Sequence, residues 1–277
     1  MPETTSTTEP RTRRRPRVGR ARPILVGAVI AAAGLVLGGV ATALASGGAP
    51  RHGDAIPNVT TVENQIKAYY GSVPGSLPGV GAVTLPDPNG NYAKEVRGIE
   101  VQAKQALRYG LSHHGRGKPA IVLDVDDTSL NTYDYEISSQ FGYTPASNAT
   151  FVLDKAFPAV FGMPTLANWA QAHGYTVFFI TGRPESQRAA TAGNLADVGF
   201  SEPTDPAHLF LKQSTPVSYL PCSTTSCTTI QYKAGTRAYL SSLGYTIVSD
   251  FGDQYSDLEG GHAGNKVKLP NPMYFLP

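Results

Sequence analysis

Ala120-Ile121-Val122-Leu123-Asp124-Val125-Asp126-Asp127-Thr128 places four apolar residues directly before three carboxylates within four positions. A buried strand that ends in clustered acids is electrostatically costly unless a cation or raised pKa values relieve the repulsion. Such a cluster points to metal binding, to chemistry, or to both. The competing reading is an acidic turn after a core strand. Three later segments fit the same site and weigh against it.

Outward from this run the chain alternates. Strands are expected at Ala120–Val125, Tyr175–Ile180, His208–Leu211 and Thr246–Ser249, with a short one at Lys266–Leu269. Helices are expected at Pro164–Ala172, Glu185–Val198 and Tyr232–Ser242, and before them at Thr61–Ser72 and Tyr92–Tyr109. Residues 73–90, rich in Pro and Gly, read as loop. Apolar strands alternating with helices predict an α/β fold, a Rossmann-like parallel sheet with helices on both faces. Ligands of such sheets bind at the carboxyl ends of the strands. The polar groups sit there: Asp124 and Asp126 after the first strand, Thr181 after the second, Lys212 after the third, Asp250 and Asp253 after the fourth.

Asp124-x-Asp126-x-Thr128, Phe179-Ile180-Thr181-Gly182-Arg183, Lys233 with Arg237 one turn on, and Gly252-Asp253-Gln254-Tyr255-Ser256-Asp257 occur in that order. The set resembles the haloacid-dehalogenase (HAD) superfamily of phosphohydrolases. Within it the chain looks like the class B-type acid phosphatases, the branch that includes plant acid phosphatases and vegetative storage proteins. The resemblance covers roughly residues 60 to 277 and implies a phosphomonoesterase working through an aspartyl-phosphate. Asp124 would be the nucleophile and Asp126 the general acid and base. Thr181, Gly182 and Lys233 would hold the phosphoryl group, with Lys212 the rival of Lys233 for the cation. The all-oxygen donors Asp124, the Asp126 carbonyl and Asp253 suit Mg²⁺, with Asp257 behind them supporting the metal or the lysine. Asp127 and Asp250 sit beside the cluster. A non-catalytic storage or binding protein on the same scaffold is the alternative, and a phosphotransferase a third; the chain keeps Asp124, which a storage protein can lose.

Residues 131–163 fall between the first two motifs, where a small helical cap insert belongs in that superfamily. Tyr133, Tyr135, Phe141, Tyr143, Phe151, Phe157 and Phe161 within it are expected to line an open pocket for small-molecule phosphomonoesters. His113-His114-Gly115-Arg116 ends a helix and lacks the arrangement of a phosphohistidine enzyme.

The net charge of +2 hides a division. Residues 1–52 carry eight Arg and two Glu; the remainder carries 15 basic and 19 acidic residues. The folded part is therefore mildly acidic, without the basic stripe that a nucleic-acid polymer demands. The basic segment 1–23 precedes an uncharged apolar run, Ile24 to Ala45, followed by a linker over 46–60 and the phosphatase domain over 61–277. A secretory signal and a membrane anchor both have this form. In either case the domain is expected outside the cell, secreted or on the outer face of the plasma membrane, with membrane contact only through 24–45. Cys222 and Cys227 are expected to pair in a small-loop disulfide there.

Overall fold

The computed structural model describes residues 57–77, 79–113, 115–222 and 226–277. The basic segment and the apolar run 24–45 lie outside them. Among the described residues no helix is long and apolar enough to cross a membrane.

The described residues begin with helix α1 (Val59–Tyr70), which starts two residues inside the stretch read as linker. Asn58 sets that start: its side chain accepts from the Thr60 N–H at 3.0 Å and satisfies one of the helix's orphan donors. Two short strands follow, β1 (Val73–Leu77) and β2 (Gly81–Leu85), paired as an antiparallel hairpin. This corrects the loop expected over 73–90. The Pro and Gly residues there punctuate a two-stranded ribbon instead of excluding one.

Helix α2 (Asn91–His113) then leads to β3 (Lys118–Leu123), the strand of the opening motif. The insert contributes α3 (Tyr133–Ser138) and α4 (Pro145–Leu153) before α5 (Met163–Ala172) and β4 (Thr176–Pro184). A 3₁₀ turn (Glu185–Gln187) and α6 (Arg188–Asp197) replace the single helix expected over 185–198. The remaining elements are β5 (Leu209–Lys212), α7 (Thr229–Ser242), β6 (Tyr245–Gly252), α8 (Tyr255–Leu258) and β7 (Asn265–Lys268).

Five strands form one parallel sheet in the order β5-β4-β3-β6-β7. The period-two alternation of strand side chains divides the core. Ile121, Leu123, Val177 and Phe179 face the layer that includes α1, α2 and α5. Ala120, Val122, Phe178 and Ile180 face Tyr232 and Leu240 of α7. Each such fully buried large apolar side chain contributes roughly 1.5–3 kcal/mol. Gly110 lets α2 lie close against β6: a Cβ there would stand 2.4 Å from Val248 and 2.8 Å from the Tyr175 hydroxyl.

The strand order reverses between β3 and β6. From β3 the chain moves outward through β4 to β5, then returns to the other side of β3. A crevice opens at the carboxyl ends of strands where such a reversal occurs. Asp124 follows β3 and Asp253 follows β6, so the acids of the two motifs flank that point.

Candidate active site

Asp124 takes its place from the sheet. Its N–H donates to Phe251 of β6 at 3.0 Å, and its carbonyl accepts from the Ser129 hydroxyl at 2.6 Å. The chain then turns tightly, with Ser129 N and Leu130 N both bonded to the Val125 carbonyl. This turn re-aims the three acids in different directions, which spacing alone does not reveal.

The Asp124 carboxylate accepts from Lys233, whose Nζ also donates to Asp257 Oδ1 at 2.6 Å. All three side chains are buried. Lys233 reaches the site because α7 begins at Thr229, earlier than expected, under a capping box: Thr228 accepts from Gln231 N at 3.2 Å and Gln231 accepts from Thr228 N at 3.0 Å. The Cys222–Cys227 disulfide, Cα atoms 5.4 Å apart, staples the segment just before it. Lys233 is the lysine bonded to Asp124; Lys212 lies nearby. Its Nζ lies 5.9 Å from the Tyr232 ring centroid, and burial together with the Lys233 charge lowers its pKa.

Asp124, Asp253 and Asp257 each offer an oxygen within 4.8 Å of the others. One ammonium among three buried carboxylates leaves negative charge uncompensated. The consequence is visible in the proton affinities. Burial, opposed by Lys233 and reinforced by the neighbouring acids, raises Asp124 well above the carboxylate range. Burial and Asp257 push Asp253 up to about 8. Burial alone would lower Lys233, but Asp124 and Asp257 outweigh it and hold the ammonium charged. Hard oxygen donors carrying excess negative charge fit a divalent cation.

Gly252 allows the cluster to close. A Cβ at that position would meet Asp257 Cβ at 2.4 Å, so only glycine lets β6 end against this acid. Arg237, one turn beyond Lys233, completes the support. Its guanidinium, fully buried, donates to the carbonyls of Asp257, Glu259 and, at 3.1 Å, Gly261. Asp250 Oδ2 lies 2.9 Å from Arg237 Nη1, an ion pair without hydrogen-bond alignment. Asp250 is therefore part of β6 and the partner of Arg237, not a turn residue.

Asp126 points elsewhere. Its carboxylate is held by Arg183, with Nη2 at 2.7 Å from Oδ1 and Nε at 3.1 Å from Oδ2. Arg183 is itself anchored on Thr191 at 3.0 Å and lies over the Phe157 ring. Arg183 ends the Phe179–Arg183 motif, and its place at the strand end beside Thr181 is the signal in the sequence for this contact. Asp127 is engaged by its own loop and by the C-terminal segment. It adopts φ 52°, and its oxygens accept from Thr132 N at 3.0 Å, the Thr132 hydroxyl at 2.5 Å and the Tyr274 hydroxyl at 2.8 Å.

Thr181 lies inside β4, beyond the expected end of that strand, fully buried, and its hydroxyl accepts from Arg183 N at 3.2 Å. Gly182, the next residue of β4, is exposed, and a Cβ there would meet nothing within 4 Å. The insert's aromatic residues behave differently from expectation. Tyr133, Tyr135 and Phe157 are buried in the core, and Tyr133 stacks on Tyr70 at 4.4 Å; among the expected pocket residues Tyr143 is the exposed one. Ring area gains more from the apolar interior than from a wet cleft. His113 stacks on Tyr109 at the exposed end of α2, with no part in the cluster; His114 lies outside the described residues.

Residues 84–277 match the family described as HAD superfamily, subfamily IIIB (acid phosphatase). Acid phosphatase 1 of Solanum lycopersicum is 31% identical over 206 residues, 70% of this chain and 76% of that protein. The stem 28 kDa glycoprotein of Glycine max is 29% identical over 188 residues, 62% of this chain and 66% of its own length. Vegetative storage protein 1 of Arabidopsis thaliana is 28% identical over 162 residues, 56% of this chain and 55% of its own. The chain thus spans just under two thirds of the soybean relative and about half of the Arabidopsis one. Among solved structures, the class C acid phosphatase from Bacillus anthracis superposes with a TM-score of 0.56 at 22% identity, covering 68% of this chain and 80% of that one, which is a likeness of fold.

Proposed function

This chain belongs to the HAD superfamily, subfamily IIIB, the acid phosphatases, and we propose that it hydrolyses phosphomonoesters in two steps through a covalent aspartyl-phosphate on Asp124, with Mg²⁺ as its cation. The observation that carries the reading is the Lys233 ammonium set between Asp124 and Asp257 with Asp253 beside them. Phosphoryl transfer needs positioning and charge neutralisation more than bond-making chemistry. A buried nucleophilic carboxylate with a fixed ammonium and room for a cation supplies both.

Asp124, Asp253 and the Asp126 carbonyl would hold the cation, with Asp257 behind them. When bound it orients the phosphate and offsets repulsion against the nucleophile. The chain's own residues do the rest. Lys233 offsets the charge of the transferred group and opposes the rise in proton affinity that burial imposes on Asp124. Thr181 donates its hydroxyl to a phosphoryl oxygen. Asp126 transfers a proton to the leaving oxygen in the first step and takes one from water in the second. To act as an acid it must rotate away from Arg183, whose guanidinium otherwise holds it in one rotamer.

The exposed Tyr143 and the inward packing of Tyr133, Tyr135 and Phe157 favour an uncapped entrance, hence small exposed phosphate esters of varied alcohols. Near-equal kcat/KM across unrelated small esters supports this, and use of a single ester overturns it. The Cys222–Cys227 disulfide supports an oxidising compartment, in keeping with secretion or surface anchoring; fractionation of the expressing cells tests it.

The deciding measurement is phosphate release from p-nitrophenyl phosphate by the purified chain, dialysed against EDTA and then supplied with Mg²⁺. Activity that returns with Mg²⁺ is the expected result. No turnover in either condition favours the storage reading that the vegetative storage relatives raise, and product phosphorylated on an added alcohol favours phosphotransfer.

A further inference from the structure

The last residues of the chain lie against the site, and their hydrogen bonds run to it on both sides. Leu269 N donates to Gly252 O at 2.9 Å and carries the strand register past β7. Pro270 and Pro272 then fix φ on either side of Asn271. Asn271 Nδ2 donates to Asp253 Oδ2 at 2.7 Å. The amide cannot turn over without loss, because Asn271 Oδ1 accepts from Met273 N at 2.9 Å. Beyond it, Tyr274 donates to Asp127 at 2.8 Å, Leu276 N donates to Gln254 Oε1 at 3.1 Å, and Leu276 O accepts from Ser256 at 3.1 Å. The segment joins the loop after β3 to the loop after β6.

Asp253 is the acid most affected. Its Oδ2 receives two amide donors, Gln254 Nε2 at 2.6 Å and Asn271 Nδ2 at 2.7 Å. Its Oδ1 has Thr128 at 3.4 Å, a weak contact. Two donors on one oxygen fix the plane of the carboxylate and leave the other oxygen's lone pairs available. Gln254 is a neighbour in sequence and turns with Asp253. Asn271 comes from a different segment, so it is the fixed reference.

We infer that Asn271, presented by the C-terminal strap 270–277, is a positioning residue that holds Asp253 ready for the divalent cation. The inference rests on the cation reading above. Groups that orient a ligating carboxylate typically change metal affinity by about 10–100-fold when removed. A strap that merely filled space would change stability and leave affinity alone.

The test uses the whole chain and three variants, Asn271→Ala, Asn271→Asp and Tyr274→Phe. Mg²⁺ binding is measured by calorimetry without substrate, and Tm is measured in EDTA. Asn271→Ala is expected to weaken Mg²⁺ about tenfold or more while its metal-free Tm stays within a few degrees of the parent. Asn271→Asp, which removes the Nδ2 donor and places a carboxyl against Asp253, is expected to weaken it at least as much at pH 8. Tyr274→Phe, which keeps the amide, is expected to bind Mg²⁺ within about threefold of the parent. Affinity within twofold in Asn271→Ala overturns the inference. So does a loss of affinity that tracks an equal loss of metal-free Tm in all three variants. If the parent chain itself binds no Mg²⁺, the cation reading fails, and this inference falls with it for a reason the variants did not supply.

Discussion

Lys233 donates to the carboxylate of Asp124, 109 residues earlier in the chain, and both side chains are buried. The pair is not self-sufficient. Lys233 is shared with Asp257, and Asp253 stands close by. Three acids share one ammonium in a low dielectric.

Asp124→Asn is expected to abolish turnover with the fold intact. The amide is nearly isosteric but cannot displace a leaving group from phosphorus. It also removes one charge from the cluster, so Tm in EDTA should equal or exceed the parent's. Activity within tenfold of the parent excludes a covalent step on Asp124.

Asp126→Asn separates the two steps. General acid–base assistance is typically worth about 10²–10⁴-fold. With p-nitrophenyl phosphate the leaving group needs little protonation, so transfer to Asp124 proceeds while hydrolysis stalls. A burst near one equivalent of p-nitrophenol, with hydroxylamine-labile phosphate on the protein, is the expected signature; an alkyl phosphate should give no burst. Equal slowing of both substrates without a burst removes Asp126 as the proton shuttle. Asp127, saturated by Thr132 and Tyr274, is a poor replacement.

Arg237→Ala is expected to destabilise the protein by about 3–5 kcal/mol, the usual cost of leaving a buried charge without its partner. Asp250 loses its counter-ion and the carbonyls of Asp257, Glu259 and Gly261 lose their donor. Chemical denaturation reads this directly. A change below about 1 kcal/mol would mean that water replaces the guanidinium.

Metal-free stability should fall as pH rises. Burial raises Asp250 and Asp253 to about 8 in the folded state, above the value of about 3.9 for an unfolded Asp. Between those values the folded chain binds more protons than the unfolded one, so the slope of stability with pH is negative. In EDTA, Tm should be higher at pH 5 than at pH 8, and Mg²⁺ should shrink the difference. A metal-free Tm that rises from pH 5 to pH 8 contradicts the charge arrangement.

Much of this was legible beforehand. The alternation of apolar strands and helices gave the parallel sheet, and local rules placed Asp124, Thr181 and Asp253 at its carboxyl edge. The hairpin over 73–85 was not legible, because Pro and Gly mark turns and edge strands alike. Nor was the start of α7, where a capping box outranked the apolar pattern.

By itself the sequence determined which residues could meet, since strand periodicity and motif order are local properties of the chain. Tertiary structure decided which of them do meet, and in what charge state. The turn after β3 sends Asp126 to Arg183 and Asp127 to Thr132, although the two acids are adjacent. Lys233 reaches Asp124 from α7, while Lys212 lies against the Tyr232 ring. Asn271 reaches Asp253 only after β7 brings the strap back. Proton affinity and hydrogen-bond partners depend on burial and on groups distant in sequence, and these exist only once the sheet has closed.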